Sequence, residues 1–351
     1  MQRVSIVGLG LIGSSIGLGL KRWATKDGKR DSVLEVSGFD ISLDVQNYAK
    51  KLKAVDRTEW NLAHAIARAD VIIIATPVTA VREIFEVIAD QAKQGAVVTD
   101  TCSTKTEVLE WAAELLPDHI HFVGGHPMAG DTRGVEGAKA DVFKGATWCV
   151  CPRVNAGDEA VQTVLGLISA LEAEPLFIDP HEHDGYVGGI SHLPFMLSVA
   201  MTRVVSTDSL WRDMRKLSSS GFRDASRLAA GSPEMYMGIC ATNRQNIVRW
   251  VDATIGELQH MRDLVSTGSD ETLETLERVF NQARDARAEW VTSERSGGGM
   301  VQDADSELSM LGVGEQMQQM FFGNLFRRKP KTGREGKRDD VGSTRSGRGP
   351  R

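Results

Sequence analysis

Cysteine is scarce in this chain: Cys102, Cys149, Cys151 and Cys240 are the four thiols among 351 residues. So few in so long a chain give no disulfide framework. The one close pair, Cys149-Val150-Cys151, has a single intervening residue in an apolar run, which is not a zinc-ligand spacing. The thiols read as inert and buried in a reducing compartment, and no metal site is expected. Long apolar runs are also missing, since no segment approaches the ~18 apolar residues of a membrane span. Ser5 to Leu20 carries no charge, but Arg3 is a thin positive flank. Five glycines there (Gly8, Gly10, Gly13, Gly17, Gly19) do not suit the apolar core of a secretory signal. A cytoplasmic protein is expected. The chain also lacks the positive charge of a nucleic-acid binder, with a net charge of −6.

What is there suits a globular protein of two domains, with 41% hydrophobic and 25% charged residues. The charge is uneven. Residues 327–351 carry ten Lys/Arg against three Asp/Glu, a local +7, which leaves −13 for residues 1–326. The first half alternates short apolar runs with amphipathic stretches. Val4–Val7, Leu34–Phe39, Val71–Ala75 and Ala96–Thr99 read as strands, and Phe122–Val123, Trp148–Val150 and Leu176–Ile178 as shorter ones. Ala80–Ala92 reads as a helix with Val81, Ile84, Phe85 and Ile88 on one stripe. This alternation predicts an α/β Rossmann-type domain over residues 1–178, with a mostly parallel sheet and ligands at the strands' carboxyl ends. Strand patterns stop near Asp179-Pro180. Tyr186–Ser206, Asn243–Val265 and Glu271–Val291 have helical periodicity, so residues 179–293 are expected to form an all-α domain. Helices apolar on more than one face, as around Leu193–Met201, suggest a dimer interface. Residues 294–351 are low in complexity and expected to be disordered.

Gly8-Leu9-Gly10-Leu11-Ile12-Gly13 is a G-x-G-x-x-G between a predicted strand and a predicted helix, the context that gives the motif meaning. Gly8 allows the tight turn, Gly10 lets the backbone approach a pyrophosphate, and Gly13 lets helix and strand pack. Leu11 and Ile12 open the helix whose N-terminus faces the phosphates. Asp40 ends the second strand and is the expected acid for an adenosine ribose, favouring NAD over NADP. It lies 27 residues past Gly13, and the polar insert Lys26–Ser32 accounts for the long spacing. Thr76-Pro77 and Ser103 follow the third and fourth strands, where they either line the cofactor cleft or cap helices. His126, within Gly124-Gly125-His126-Pro127, follows a short strand in a tight backbone that looks built for exposure at a cleft. Ser191-His192 interrupts an apolar helix, either capping a kink or facing the cleft between domains. Arg223, Asp224 and Arg227 follow Gly221; two arginines four apart suit a carboxylate or form a solvated ion-pair face.

Together these segments resemble the prephenate/arogenate dehydrogenase family of tyrosine biosynthesis. The likeness covers nearly all of residues 1–292. It is carried by VGLGLIGSSIGLGL, GFD, ATPV, TDTCSTK, FVGGHPMAG, the GVEGA after it, ISHLP, GFRDASRLAAGSPEMY and Asn243. The resemblance implies NAD-dependent oxidative decarboxylation of prephenate to 4-hydroxyphenylpyruvate, or of arogenate to tyrosine, by a homodimer. Carried over, His126 takes the proton of the ring hydroxyl with Ser103 beside it, and Arg227 binds a substrate carboxylate. Ser191 and His192 lie in the substrate pocket, and Arg223 and Asp224 reach the partner's site.

Three positions depart from the family's pattern. Phe195 stands where family members often have a second histidine, Tyr236 where many have tryptophan, and Asp131-Thr132-Arg133 is not a common form of its loop. An appended sensing domain and a preceding chorismate mutase segment are expected to be absent. Another dehydrogenase of the same layout would be expected to carry a catalytic lysine in the helical half, where Lys216 stands without a matching motif. A non-catalytic NAD-binding regulator could lose His126 and Arg227, and both are present. In the tail, Leu308, Leu311, Met317, Met320, Phe321, Leu325 and Phe326 precede Arg327-Arg328-Lys329. That segment either docks on a partner or an anionic surface, or folds back on its own domain.

Overall fold

The apolar runs of the first half assemble into one eight-stranded sheet in the computed structural model of the chain. Residues 2–25, 34–130, 133–153 and 156–295 are described. The insert Lys26–Ser32, the pair Asp131-Thr132 and the apolar and basic segments after residue 295 lie outside them. In chain order the first half runs β1 (Gln2–Val7), α1 (Leu11–Thr25), β2 (Leu34–Phe39), α2 (Leu43–Lys51), β3 (Arg57–Thr58), α3 (Leu62–Ile66) and β4 (Val71–Ile74). It continues with α4 (Val81–Gln91), β5 (Val97–Asp100), α5 (Thr106–Leu115), β6 (His121–Pro127), β7 (Thr147–Pro152), α6 (Asp158–Ala170) and β8 (Glu174–Phe177).

Across the sheet the order is β3-β2-β1-β4-β5-β6-β7-β8, parallel except for the β6–β7 pair. The order reverses between β1 and β4, and open α/β sheets bind ligands outside the carboxyl ends at such a point. Strand side chains alternate between faces. Val4, Ile6, Val71 and Ile73 therefore pack with residues of α1 and α6 in one core. Val7, Ile72, Ile74 and Val98 pack with residues of α3, α4 and α5 in another. The expected stripe of α4, Val81, Ile84, Phe85 and Ile88, is buried there, with Phe85 edge-on to Phe122 at 5.2 Å.

Two strand expectations need correction. β3 was not anticipated, because two residues carry no periodicity. β6 extends four residues past Val123, so His126 lies inside a strand and is buried, not exposed in a turn after it. Gly124 and Gly125 have poor strand propensity, yet β7 pairs them with Cys151 and Val150. A Cβ on Gly125 would sit 2.6 Å from the Asp100 carbonyl, so tertiary packing demands glycine here.

The second half is helical: α7 (Pro180–Val187), α8 (Leu193–Ser206), α9 (Trp211–Met214), α10 (Ser220–Ser226), α11 (Pro233–Thr242), α12 (Arg244–Thr267) and α13 (Asp270–Arg295). Asp179 caps α7, accepting from the His181 and Glu182 amides, with Pro180 in its first turn. The single helix expected over Tyr186–Ser206 is instead α7 and α8 joined by a π turn, Gly188–His192. Pro194 has no N–H for the Ile190 carbonyl, and its ring crowds that oxygen, which favours a widened turn. Among the described residues no helix is long and apolar enough to cross a membrane.

Candidate active site

At the carboxyl end of β1, Gly8 has φ +92°, a left-handed conformation that favours glycine. A Cβ on Gly8 would meet the Ala75 carbonyl at 2.4 Å, and one on Gly13 would meet the Gly8 carbonyl at 1.9 Å. Gly10 has open space where its Cβ would be. The turn is thus closed on its protein side and open on the other, which suits a phosphate approaching the first turn of α1 at Leu11 and Ile12. That turn holds no acidic residue.

Asp40, just past β2, is fixed by two main-chain donors: Leu9 N to Oδ2 at 2.8 Å and Ser42 N to Oδ1 at 2.9 Å. Its carboxylate is locked at the mouth of the glycine turn, with lone pairs left for ribose hydroxyls. Thr76 and Pro77 follow β4 and are half-buried; the Thr76 hydroxyl is a buried atom without a partner among the described residues. These features fit a dinucleotide along the carboxyl ends of β1, β2 and β4.

The polar centre lies further along the same edge. Asp100 ends β5. Its Oδ1 accepts from Gly125 N at 2.9 Å, and its Oδ2 accepts from Cys102 N at 3.0 Å and from the Lys105 ammonium. Lys105 and Asp100 are both fully buried. Burial opposes the lysine's charge, but the Asp100 charge and hydrogen bond, with the Cys102 and Cys151 thiols, together outweigh it and raise the Lys105 pKa. Ser103, half-buried, lies between Cys102 and Lys105.

His126 Nδ1 is 2.9 Å from Nε2 of His183, and His183 Nδ1 is 2.8 Å from Oδ1 of Asp184. Burial above all, with the Lys105 charge adding to it, pushes the His126 pKa well below the usual histidine range. It is a neutral imidazole at working pH. Burial works against the Asp184 charge. Hydrogen bonds from His183 and from the Thr106 and Lys105 amides prevail and hold its carboxyl below the usual range. His192 is also buried and pushed down to about 4, first by desolvation. Its Nδ1 meets Asn243 Nδ2 at 3.0 Å, while Nε2 has no hydrogen-bond partner among the described residues. Burial pushes up the thiols of Cys102, Cys149, Cys151 (to about 12) and Cys240, so all four are protonated and unreactive.

Residues 23–175 match the prephenate dehydrogenase nucleotide-binding domain, and residues 179–282 match the prephenate dehydrogenase dimerization domain. The chain is 33% identical over 287 residues to the prephenate dehydrogenase of Bacillus subtilis, covering 81% of this chain and 75% of that protein. This chain belongs to the prephenate dehydrogenase family. Its fold is similar to that of Aquifex aeolicus prephenate dehydrogenase, solved in complex with hydroxyphenyl propionate and NAD+. The TM-score is 0.74 at 25% identity, over 82% of this chain and 98% of that one. Synechocystis arogenate dehydrogenase is similar as well, with a TM-score of 0.66 at 26% identity, over 82% of this chain and 100% of that one. Family membership makes the protein an oxidoreductase acting on a small molecule. The nucleotide-binding match begins at residue 23, so the case for the Gly8–Gly13 turn rests on its own geometry.

Within this dehydrogenase the expected residues do not all converge in one protomer. His126, His192 and the Ser103 loop meet at the polar centre, and Ser191 is half-buried beside them in the π turn. Arg223 and Asp224 on α10, and Arg227 in the 3-10 turn after it, are exposed. Their side chains make no hydrogen bond or ion pair among the described residues. Arg227 is close enough for its charge to bear on Tyr236. Two of the three departures from the family pattern meet: Phe195 and Tyr236 stack at 4.1 Å with rings 7° apart, and Tyr236 Oη donates to the Leu228 carbonyl at 2.6 Å. Sequence reasoning passed over His183 and Asp184. They are adjacent in a polar stretch at the start of a helix, with no motif around them. The available signal was their burial opposite β6, which only the fold reveals.

Proposed function

We propose that the chain catalyses NAD-dependent oxidative decarboxylation of prephenate to 4-hydroxyphenylpyruvate, CO2 and NADH. The observation that carries this reading is His126: a buried, neutral histidine at the sheet's carboxyl edge, held through Nδ1 so that Nε2 is left for substrate. NAD, when bound, accepts the hydride from the ring carbon that bears the hydroxyl. His126 takes the hydroxyl proton as that carbon is oxidised, which raises electron density on the oxygen and eases the loss. The C–C bond to the ring carboxylate then breaks, its electron pair enters the ring, and the proton returns to the phenol oxygen.

In this reading Gly8, Gly10, Leu11, Ile12 and Gly13 hold the pyrophosphate, Asp40 the ribose, and Thr76 and Pro77 the nicotinamide end. Ser103, Ser191 and His192 contact substrate, and Arg227 binds a carboxylate. The helical half joins two copies, with Arg223 and Asp224 reaching the second copy's site. Prephenate is favoured over arogenate in that neither carboxylate of the polar centre is free to pair an amino group. Asp100 is committed to Lys105 and two amides, and Asp184 to His183 and two amides. The test is turnover of prephenate and arogenate, each with NAD and NADP. Reduction of NAD with prephenate is expected; a higher kcat/KM for arogenate, or turnover of neither, would overturn the assignment.

A further inference from the structure

Asp184 sits where three chains of contact meet. Lys105 N (2.8 Å) and His183 Nδ1 (2.8 Å) approach its Oδ1, and Thr106 N (2.9 Å) its Oδ2. Two of these are main-chain amides at the start of α5, which can only donate; α5 has no cap from its own segment. The carboxylate must therefore accept from all three, which puts the proton between it and His183 on His183 Nδ1. A neutral His183 then has a bare Nε2, and its neighbour at 2.9 Å is His126 Nδ1. Two bare nitrogens would repel, so the proton lies on His126 Nδ1 and its Nε2 is a lone pair.

The main chain of the same residue governs the other histidine. The Asp184 carbonyl accepts from Asn243 Nδ2 at 2.8 Å, which fixes the amide's orientation; Asn243 Oδ1 accepts from Asn246 Nδ2 at 2.7 Å. The second Asn243 N–H faces His192 Nδ1, which must be bare. A neutral His192 then carries its proton on Nε2, a buried donor with no partner among the described residues. The Ser103 main chain lies near that ring, but Nε2 has no well-formed bond to it.

We infer that Asp184 is a positioning residue that sets the two active-site histidines in opposite tautomers, through His183 for His126 and through Asn243 for His192. His126 thus offers a lone pair and His192 an N–H. Together they match a hydroxyl that gives up its proton and an oxygen that accepts a hydrogen bond. The inference rests on the reading of His126 as the base, but the protonation pattern can be measured without catalysis. Among the described residues, the other titratable groups around His126 are Asp100 at the end of β5, Lys105 just before α5, His183 and Asp184 from α7, His192 from the π turn, and the Cys102, Cys149 and Cys151 thiols.

The test is long-range proton–nitrogen NMR on the full-length protein labelled with 15N-histidine, without substrate, assigned with His126→Asn and His192→Asn. Expected are a proton on Nδ1 of His126 and His183 and on Nε2 of His192. His183→Gln and His183→Leu then separate relay from packing. Glutamine can accept from His126 with its oxygen and donate to Asp184 with its nitrogen; leucine can do neither. Leucine should lower kcat about 10²-fold with KM within about threefold, mix the His126 tautomers, and move the acid limb of kcat to lower pH, because the acceptor that stabilises a protonated His126 is gone. Glutamine should stay within about tenfold of wild type and keep the tautomer. In Asp184→Asn either amide orientation sets an N–H against another donor, so that variant should resemble leucine if it folds. A proton on His126 Nε2, an imidazolium at His183, or equal losses in the glutamine and leucine variants would overturn the inference. The stated tautomers in a protein that turns over neither prephenate nor arogenate would support it and overturn the functional reading alone.

Discussion

The two halves of the molecule bury apolar surface very differently. The sheet half has two large cores, one on each face, built from alternating strand residues and the helix stripes that cover them. In the helical half the largest buried apolar group is Phe195, Ile239 and Ile247. That half exposes Ile190, Val204, Met237, Leu258 and Val265 within the protomer. The first half can be stable by itself, whereas the second holds too little buried area to balance its chain entropy. A second copy on those faces would supply the missing burial. The halves meet through polar contacts, Asp184 with the start of α5 and Thr104 with Thr242 at 2.8 Å, and through Gly238 of α11 against Val78. The proposed chemistry sits on that polar seam, where a histidine from the sheet meets groups from the helices.

The largest expected effect lies at the seam. His126→Asn should lower kcat by roughly 10²–10⁴ with little change in KM, whereas Arg227→Ala, outside the polar centre, should mainly raise KM. In wild type kcat should fall on the acid side, at a pH below the usual histidine range because the His126 pKa is depressed. The His126 variant should lose that limb; near-normal kcat with the limb intact would remove the histidine from the chemistry.

Core truncation tests the contrast between the halves directly. Phe85, fully buried, should cost about 3–5 kcal/mol when cut to alanine, at any protein concentration. Val204→Ser, on an exposed face of α8, should cost the isolated protomer less than ~0.5 kcal/mol but weaken the dimer. Denaturation at several protein concentrations reads both. A Val204 variant with the same concentration dependence as wild type would show that α8 is not part of the dimer face.

Much of the sheet half was legible because burial on both faces leaves continuous apolar runs, as in Val71–Ile74, and the glycine turn announces itself in a strand-to-helix context. His126 was legible as a candidate but not its setting. Gly124 and Gly125 resemble a turn until β7 is placed beside them. His183 and Asp184 were invisible for a similar reason, since nothing local says that these two residues of α7, next to the exposed His181 and Glu182, will be buried against α5 and β6. Helix periodicity also runs straight through Gly188–His192, so the π turn that carries Ser191 and His192 appears only when the Pro194 ring must be accommodated.

Acid should act on the seam before it acts on the cores. His192 is held down to about 4 in the folded chain, against about 6.5 for a free histidine. The folded state then binds fewer protons than the unfolded one between those values, so its stability is complete above about pH 6.5 and falls as pH drops toward 4. His192 should account for ~1–3 kcal/mol of that loss. His192→Gln should flatten the slope of stability against pH in this window; an unchanged slope would show that His192 is not buried as a neutral group.

The smallest effect expected is on cofactor choice, at the far end of the sheet from the seam. Asp40 is held by the Leu9 and Ser42 amides, so its carboxylate cannot swing away from a ribose that binds beside the glycine turn. A 2′-phosphate there would meet it as a like charge, and two such charges 4 Å apart repel by ~1 kcal/mol in water and ~4 kcal/mol near a protein surface. Asp40→Ser removes the charge but also a partner of Leu9 N, so Asp40→Asn, which keeps one acceptor oxygen, is the cleaner variant. Both should narrow the preference for NAD over NADP about tenfold or more, read as the ratio of kcat/KM values. If only serine narrowed it, the cause would be distortion of the turn rather than charge. Wild-type protein that already used the two cofactors equally would sink the role given to Asp40.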